Sequence, residues 1–271
     1  MNKKEVQFVD TVGEYYRRNG RHKLPWRKTC NPYRILVSEV MLQQTQVERV
    51  IPKYRAFITK FPTLEKLAHA PLSEVLKSWQ GLGYNRRAKM LKACAQKIVT
   101  EHNSVFPKTQ EALRLLPGVG PYTSGAILAF AYNKPTVLIE TNVRTVYLHH
   151  FFKNRINVAD AEILKYVAKT ADLKNSRAWY YALMDYGSYL KKQFGNQNTR
   201  SKHYSTQSAF KGSDRQIRGA IVRALSKKPQ RLRNLHSELA SFELVRIRTQ
   251  IEALLSEKMI EKKNALYQLS S

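Results

Sequence analysis

The sequence predicts an all-α protein with a small appended C-terminal module. Apolar residues recur at helical spacing along most of the 271-residue chain, and strand-like alternation is nearly missing. Prolines and glycines cut the helical patterns into short lengths. Only the last few residues read as paired strands.

Residues 6–18 are amphipathic, with Val6, Phe8, Val9, Val12 and Tyr16 on one side. Leu24-Pro25-Trp26-Arg27 ends that helix, and Asn31-Pro32 reads as an N-cap and N1 proline opening another over residues 32–46. Pro52 and Pro62 punctuate the next two segments. Residues 71–79 form a short helix stopped by Gly81-Leu82-Gly83, and residues 84–102 a longer one with Met90, Leu91, Cys94 and Ile98 inward. A short helix over 110–116 leads into Pro117-Gly118-Val119-Gly120-Pro121, and an apolar helix with small residues Ser124, Gly125 and Ala126 follows over 122–132. The two glycines permit positive φ, and Pro121 suits a first helical turn. The helix start after such a turn exposes N–H groups suited to a phosphate, although an ordinary helix–helix turn has the same sequence.

Helices are expected over 140–152, 159–171 and 177–192, and residues 196–214 then read as a basic, polar linker. Residues 216–225, 232–240 and 243–260 are again helical patterns, followed by a hairpin with Lys263-Asn264 at its tip. Three helices and a hairpin resemble a winged-helix domain, placed at residues 215–271.

Lys and Arg number 47 against 20 Asp and Glu, a net charge of +27. An excess of this size points to a polyanion, with nucleic acid the usual one; a membrane surface or a merely solvated face are the other readings. No apolar run of about 18 residues occurs and no signal-peptide core opens the chain, so a cytoplasmic, nucleoid-associated protein with no membrane partner is expected. Cys30 and Cys94 imply no disulfide framework and cannot supply a four-thiolate metal or iron–sulfur site.

Two carboxylates stand out. Glu39 lies in the apolar run Ile35-Leu36-Val37-Ser38-Glu39-Val40-Met41-Leu42, where an acid keeps its proton unless it pairs with a buried base. Protonated, it suits general acid catalysis on a purine nitrogen. Glu140 follows Thr136-Val137-Leu138-Ile139 at a helix start, either as a plain cap or as an anion that stabilises a sugar cation.

Four motifs in order, residues 38–47, Gly81-Leu82-Gly83-Tyr84, residues 116–123 and Glu140-Thr141-Asn142-Val143-Arg144, resemble the helix-hairpin-helix DNA glycosylases, and most nearly the MutY-type adenine glycosylases. The resemblance runs over about residues 24–187. It implies the helix-hairpin-helix glycosylase fold, two helical subdomains with a cleft, over residues 1–195. It also implies a monomer that flips adenine, mispaired with 8-oxoguanine or guanine, out of double-stranded DNA. Thymine or uracil mismatch glycosylases and a non-cutting lesion binder are the alternatives. On this resemblance Glu39 protonates the base, Glu140 stabilises the sugar cation, and Tyr122 and Asn142 orient them. Gln43, Gln44 and Thr45 attend the orphaned base, and Leu82 and Tyr84 belong to the wedge loop. Gly118, Val119 and Gly120 anchor the strand. Trp26 and Arg27 line the base pocket. Beside the resemblance, Arg86, Arg87, Lys89 and Lys108 read as phosphate contacts or as plain solvated charges.

Tyr122 and three departures from that family sharpen these expectations. Tyr122 stands where strand-cutting members carry the Schiff-base lysine, so a monofunctional enzyme is expected. Glu140 replaces an aspartate; the extra methylene moves its oxygens by about 1 Å, a misplacement that can cost ~10²-fold in rate. The four-cysteine cluster is missing, so no metal or cofactor is expected, with packing around Trp179, Tyr180, Tyr186 and Phe194 in its place. The winged-helix-like module stands where the family has a β-rich domain.

Overall fold

The computed structural model describes residues 1–271. Helices dominate: α1 (Lys3–Asn19), α2 (Pro32–Leu42), α3 (Val47–Lys60), α4 (Leu64–His69), α5 (Leu72–Ser78), α6 (Arg86–Glu101), α7 (Gln110–Arg114), α8 (Pro121–Tyr132), α9 (Thr141–Phe151), α10 (Asp160–Thr170), α11 (Ser176–Phe194), α12 (Asp214–Lys227), α13 (Leu232–Glu238) and α14 (Leu244–Ser256). The strands β1 (Ile260–Lys263) and β2 (Leu266–Leu269) close the chain. None of the helices is long and apolar enough to cross a membrane. The chain folds as two units, one of residues 1–39, 107–115 and 119–206, the other of residues 40–106, 116–118 and 207–271.

In the first unit α11 packs on α9, α1 and α8. α1 opens with a reciprocal cap, Asn2 Oδ1 accepting from Glu5 N–H at 2.9 Å and Glu5 Oε2 from Asn2 N–H at 2.8 Å. It buries Phe8 and Val12, and the Phe8 ring meets Tyr147, Phe151 and Trp179 at centroid distances of 5.1, 5.0 and 6.1 Å. α8 is apolar all round, and a helix without a polar face belongs inside; residues 123–131 are buried accordingly. The small residues of α8 let side chains, not backbone, come close: a Cβ at Gly125 would lie 3.3 Å from both Leu138 Cβ and Thr136 Oγ1.

The tightest contact is between α11 and α9. A Cβ at Gly187 would sit 2.3 Å from the Asn142 carbonyl oxygen. Backbone cannot yield there as a flexible side chain can, so Gly187→Ala is expected to cost at least ~1–3 kcal/mol, read as a lower thermal midpoint beside an unchanged far-UV spectrum.

Trp179, Tyr180 and Tyr186 are buried in this unit, but Phe194, expected to pack with them, is 57% exposed at the end of α11. The polar stretch expected as a linker is also partly structured. Asn198 is buried, its Nδ2 donating to Thr145 Oγ1 at 2.8 Å and Thr141 O at 3.1 Å. Val158 pairs with the same segment, through Val158 N–H to Arg200 O and Lys202 N–H to Val158 O at 3.0 and 2.9 Å. Residues 196–206 therefore belong to the first unit, and the polarity of Asn198 marks hydrogen bonding, while residues 202–206 are exposed.

The second unit packs α4 and α5 on α6, and α12 on α5 and α14. Pro52 lies inside α3 rather than at its edge, and it is exposed. β1 and β2 pair antiparallel from Ile260↔Leu269 to Lys263↔Leu266, turning through Asn264 and Ala265 at φ 47° and 62°. Positive φ at both central residues is the twist-matched two-residue hairpin turn. Gln230 adds a further antiparallel bridge to Tyr267, with N–H···O distances of 2.9 and 2.8 Å in the two directions. Three helices and this hairpin do not stand apart: Ser73 N–H donates to Ser270 O at 2.9 Å, and Gln80 Nε2 to Ser226 Oγ at 3.2 Å. The C-terminal module thus shares one unit with α3–α6.

Candidate active site

α2 is apolar on most of its surface, and Glu39 is 5% exposed among residues buried on either side of it. Burial pushes its carboxyl up to about 7, the Glu140 carboxylate adds to the rise, and the Tyr122 hydrogen bond and Arg27 charge oppose it. Tyr122 Oη donates to Glu39 Oε2 at 2.7 Å. The tyrosine hydroxyl is itself driven well above its usual range, by burial first and then by the two carboxylates, so it keeps the proton that it donates to Glu39.

Tyr122 is the second residue of α8, whose start is set by the preceding turn. Gly118 takes φ +74°, and a Cβ there would meet Met90 Cβ at 2.8 Å, so only glycine fits. Gly120 does not use positive φ as expected; it is the N-cap at φ −89°. No side chain caps this helix start, and Pro121 carries no N–H, so the N–H groups of Tyr122 and Thr123 face out of the first turn.

Glu140 is the N-cap of α9. Its Oε1 accepts from the N–H groups of Asn142 and Val143, both at 2.8 Å, and Asn142 Nδ2 donates to Oε2 at 3.4 Å. Burial raises its carboxyl, against those two N–H groups, Arg144 and the Asn142 amide. Two N–H donors at a positive helix end favour the ionised form of this cap. Within the pair, Glu39 has the weaker anion support and is the proton holder.

Trp26 is buried and Arg27 is 4% exposed, in the short 3-10 helix Pro25–Lys28. The Arg27 guanidinium is anchored by Asp185. Asp185 takes both Nη atoms, at 2.6 and 2.8 Å, and the guanidinium carbon lies 4.4 Å from the Tyr181 ring centre. Arg21 adds its N–H and Nε to the same carboxylate at 2.8 and 2.6 Å. Burial alone would raise Asp185, but Arg27 and Arg21 hold it below the usual carboxylate range.

In the second unit the expected DNA-facing residues lie on two loops. Gln43, Gln44 and Thr45 follow α2, Gln44 at φ 54°; Tyr84, at φ 47° and 38% exposed, follows Gly81 and Gly83 at φ 90° and 71°. Leu82 in the second loop has a buried side chain, as has Val119 in the first unit. Arg86 is exposed, as a phosphate contact requires. Arg87 is not: its Nη1 donates to Val40 O and Gln43 O at 2.6 Å and to Met41 O at 3.1 Å, and its Nη2 to Leu82 O at 3.0 Å and Thr45 Oγ1 at 3.2 Å. It ties the two loops together, and burial lowers it to about 10. Lys89 is likewise taken, by the carbonyl of Glu257. Lys108 is exposed, 5.8 Å from the Tyr132 ring centre.

Residues 37–169 match the family described as "HhH-GPD superfamily base excision DNA repair protein". The chain is 35% identical over 187 residues to an adenine DNA glycosylase of Buchnera aphidicola subsp. Baizongia pistaciae, covering 68% of this chain and 52% of that protein. It is 46% identical over 129 residues to one of Mycolicibacterium smegmatis, covering 47% of this chain and 44% of that protein. The chain thus spans about half the length of the curated relatives it matches. Among solved structures it resembles a thermostable thymine-DNA glycosylase at TM-score 0.62 and 29% identity, covering 69% of this chain and 87% of that one. An endonuclease III–DNA complex matches at TM-score 0.59 and 19% identity over 70% of this chain and 87% of that one, a likeness of fold alone.

Proposed function

Because the chain carries a domain of the HhH-GPD superfamily of base excision DNA repair proteins over residues 37–169, we propose that it is a monofunctional DNA glycosylase acting on mismatched duplex DNA, with adenine opposite 8-oxoguanine or guanine as its target. The observation that carries the reading is the buried Glu39 with Tyr122 donating to one oxygen. That hydrogen bond leaves Oε1 to carry the acid proton. Donated to a ring nitrogen of a flipped adenine, the proton lets the base depart with the electron pair of the glycosidic bond. Positive charge then develops on the sugar, and the Glu140 carboxylate, ionised at the start of α9, stabilises it. Water adds to the anomeric carbon, and the proton it releases restores the Glu39 acid.

Tyr122 has no amine with which to form an imine, so the strand stays uncut. The chain's cysteines are Cys30, exposed, and Cys94, buried. Two thiols do not fit a four-cysteine cluster, and no step is assigned to one. The basic surface, net +27, supplies the sequence-independent part of DNA binding, so affinity falls steeply as salt rises. A thymine-mismatch glycosylase is the second reading, favoured by the 29% identical structure named above.

The pH dependence tests the acid. Glu39 must be protonated, and its carboxyl sits near 7. The single-turnover rate of base release is expected to fall about tenfold per pH unit above that value, and to fall also at acid pH as the Glu140 carboxylate, itself raised by burial, takes up a proton. A rate that stays level to pH 9 contradicts Glu39 as the proton donor.

A further inference from the structure

Residues 207–215 run beside the two loops that carry Gln44 and Tyr84, all within the second unit. Gln207 Nε2 donates to Gln44 Oε1 at 3.0 Å. Arg215 Nη1 donates to Tyr84 Oη at 2.6 Å, with the guanidinium carbon 5.8 Å from the ring centre. Arg215 Nη2 turns back to Ser208 O at 2.6 Å and so closes the segment on itself. Arg215 is in the first turn of α12, which Ser213 caps and which packs on α5. A rigid helix thus holds this guanidinium against a tyrosine whose backbone is itself in a strained left-handed conformation.

We propose that Gln207 and Arg215 complete the surface that reads the base opposite the target, Arg215 by positioning Tyr84 and Gln207 by fixing the amide of Gln44. This rests on the glycosylase reading. The chemistry is directional. Gln44 accepts from Gln207 through its oxygen, which leaves its amide N–H groups as the outward face. Tyr84 Oη accepts from Arg215, which leaves its O–H to donate, so the Gln44 and Tyr84 groups that the segment holds present donors and seek acceptors. On the major-groove edge guanine-type bases offer O6, and guanine N7 as well, whereas cytosine offers an amino donor. The segment therefore favours a purine of guanine type over cytosine opposite the excised base.

The test compares A·G with A·C duplexes, using native protein for single-turnover release and a Glu39→Gln background for binding to uncut DNA. Arg215→Ala and Gln207→Ala are each expected to lower the A·G over A·C ratio of affinities about tenfold, the size of one lost directional contact pair. The thermal midpoint of Gln207→Ala is expected to stay put, because Gln207 is exposed, whereas Arg215 is half-buried. Ratios equal to native in both variants overturn the proposal, even where the native enzyme releases base normally. Failure of the native protein to release any base sinks the glycosylase reading instead. If only Arg215→Ala unfolds, Gln207→Ala decides alone: a lowered ratio sustains the proposal, and an unchanged one overturns it.

Discussion

Glu39→Gln is expected to lower the single-turnover rate of base release by ~10³–10⁴-fold, toward the upper end of what a positioned general acid supplies, while mismatch binding stays within about threefold. Glutamine matches glutamate in size, and its carbonyl can still accept the Tyr122 hydroxyl now 2.7 Å from Glu39 Oε2. What it lacks is an acidic proton. Stability should move the other way. The folded carboxyl sits at about 7 against an ordinary 4.5, so the folded state holds the proton more tightly. The stability that this proton confers is complete below pH 4.5 and disappears as pH rises through about 7. At pH 8 the variant is therefore expected to melt higher than native, and at pH 5 the advantage shrinks. A variant that is inactive because it is misfolded would melt lower at both.

Glu140→Gln is expected to slow release by ~10²–10³-fold, the usual range for removing one preorganised electrostatic partner of a transition state. Its design separates two roles that share one side chain. A glutamine oxygen can still take the N–H groups of Asn142 and Val143, so the start of α9 is kept. The negative charge is gone. Glu140→Ala loses the cap too and is expected to cost ~1 kcal/mol more of stability. If Glu140→Gln instead melts far lower and retains its rate, Glu140 is a cap and nothing else. Aspartate at this position also caps a helix, so Glu140→Asp should fold like native and report only on carboxylate position.

The helices were legible because their signals are local. Pro121 at a helix start, the amphipathic face of α1 and the all-apolar α8 can each be read within a dozen residues. The catalytic candidates were legible one at a time, since an acid in an apolar run and an acid at a helix start each carry a physical expectation. Their convergence was not. Residues 39, 122 and 140 come from α2, α8 and the cap of α9, and only the family resemblance joined them in advance.

Long-range polar pairing left the least trace. Arg87 read as a phosphate contact because a surface arginine beside a glycine turn looks the same in sequence as one that gathers loop carbonyls. Asp185 gave no signal that it would hold Arg27 and Arg21, more than 150 positions away. Asn198 looked like linker because its partners, Thr141 and Thr145, lie in another helix. Gly187 could have been noticed: a lone glycine deep in a long helical pattern asks for a close neighbour, and the Asn142 carbonyl is that neighbour.

The most direct measurement is release of free base, under single-turnover conditions, from a panel of A·8-oxoG, A·G, T·G and U·G duplexes. The account predicts free adenine from the first two, little product from the others, and no DNA adduct trapped by borohydride. Release of thymine alone would transfer the same machinery to the thymine-mismatch reading, and no base released from any duplex would contradict the catalytic assignment of Glu39, Tyr122 and Glu140.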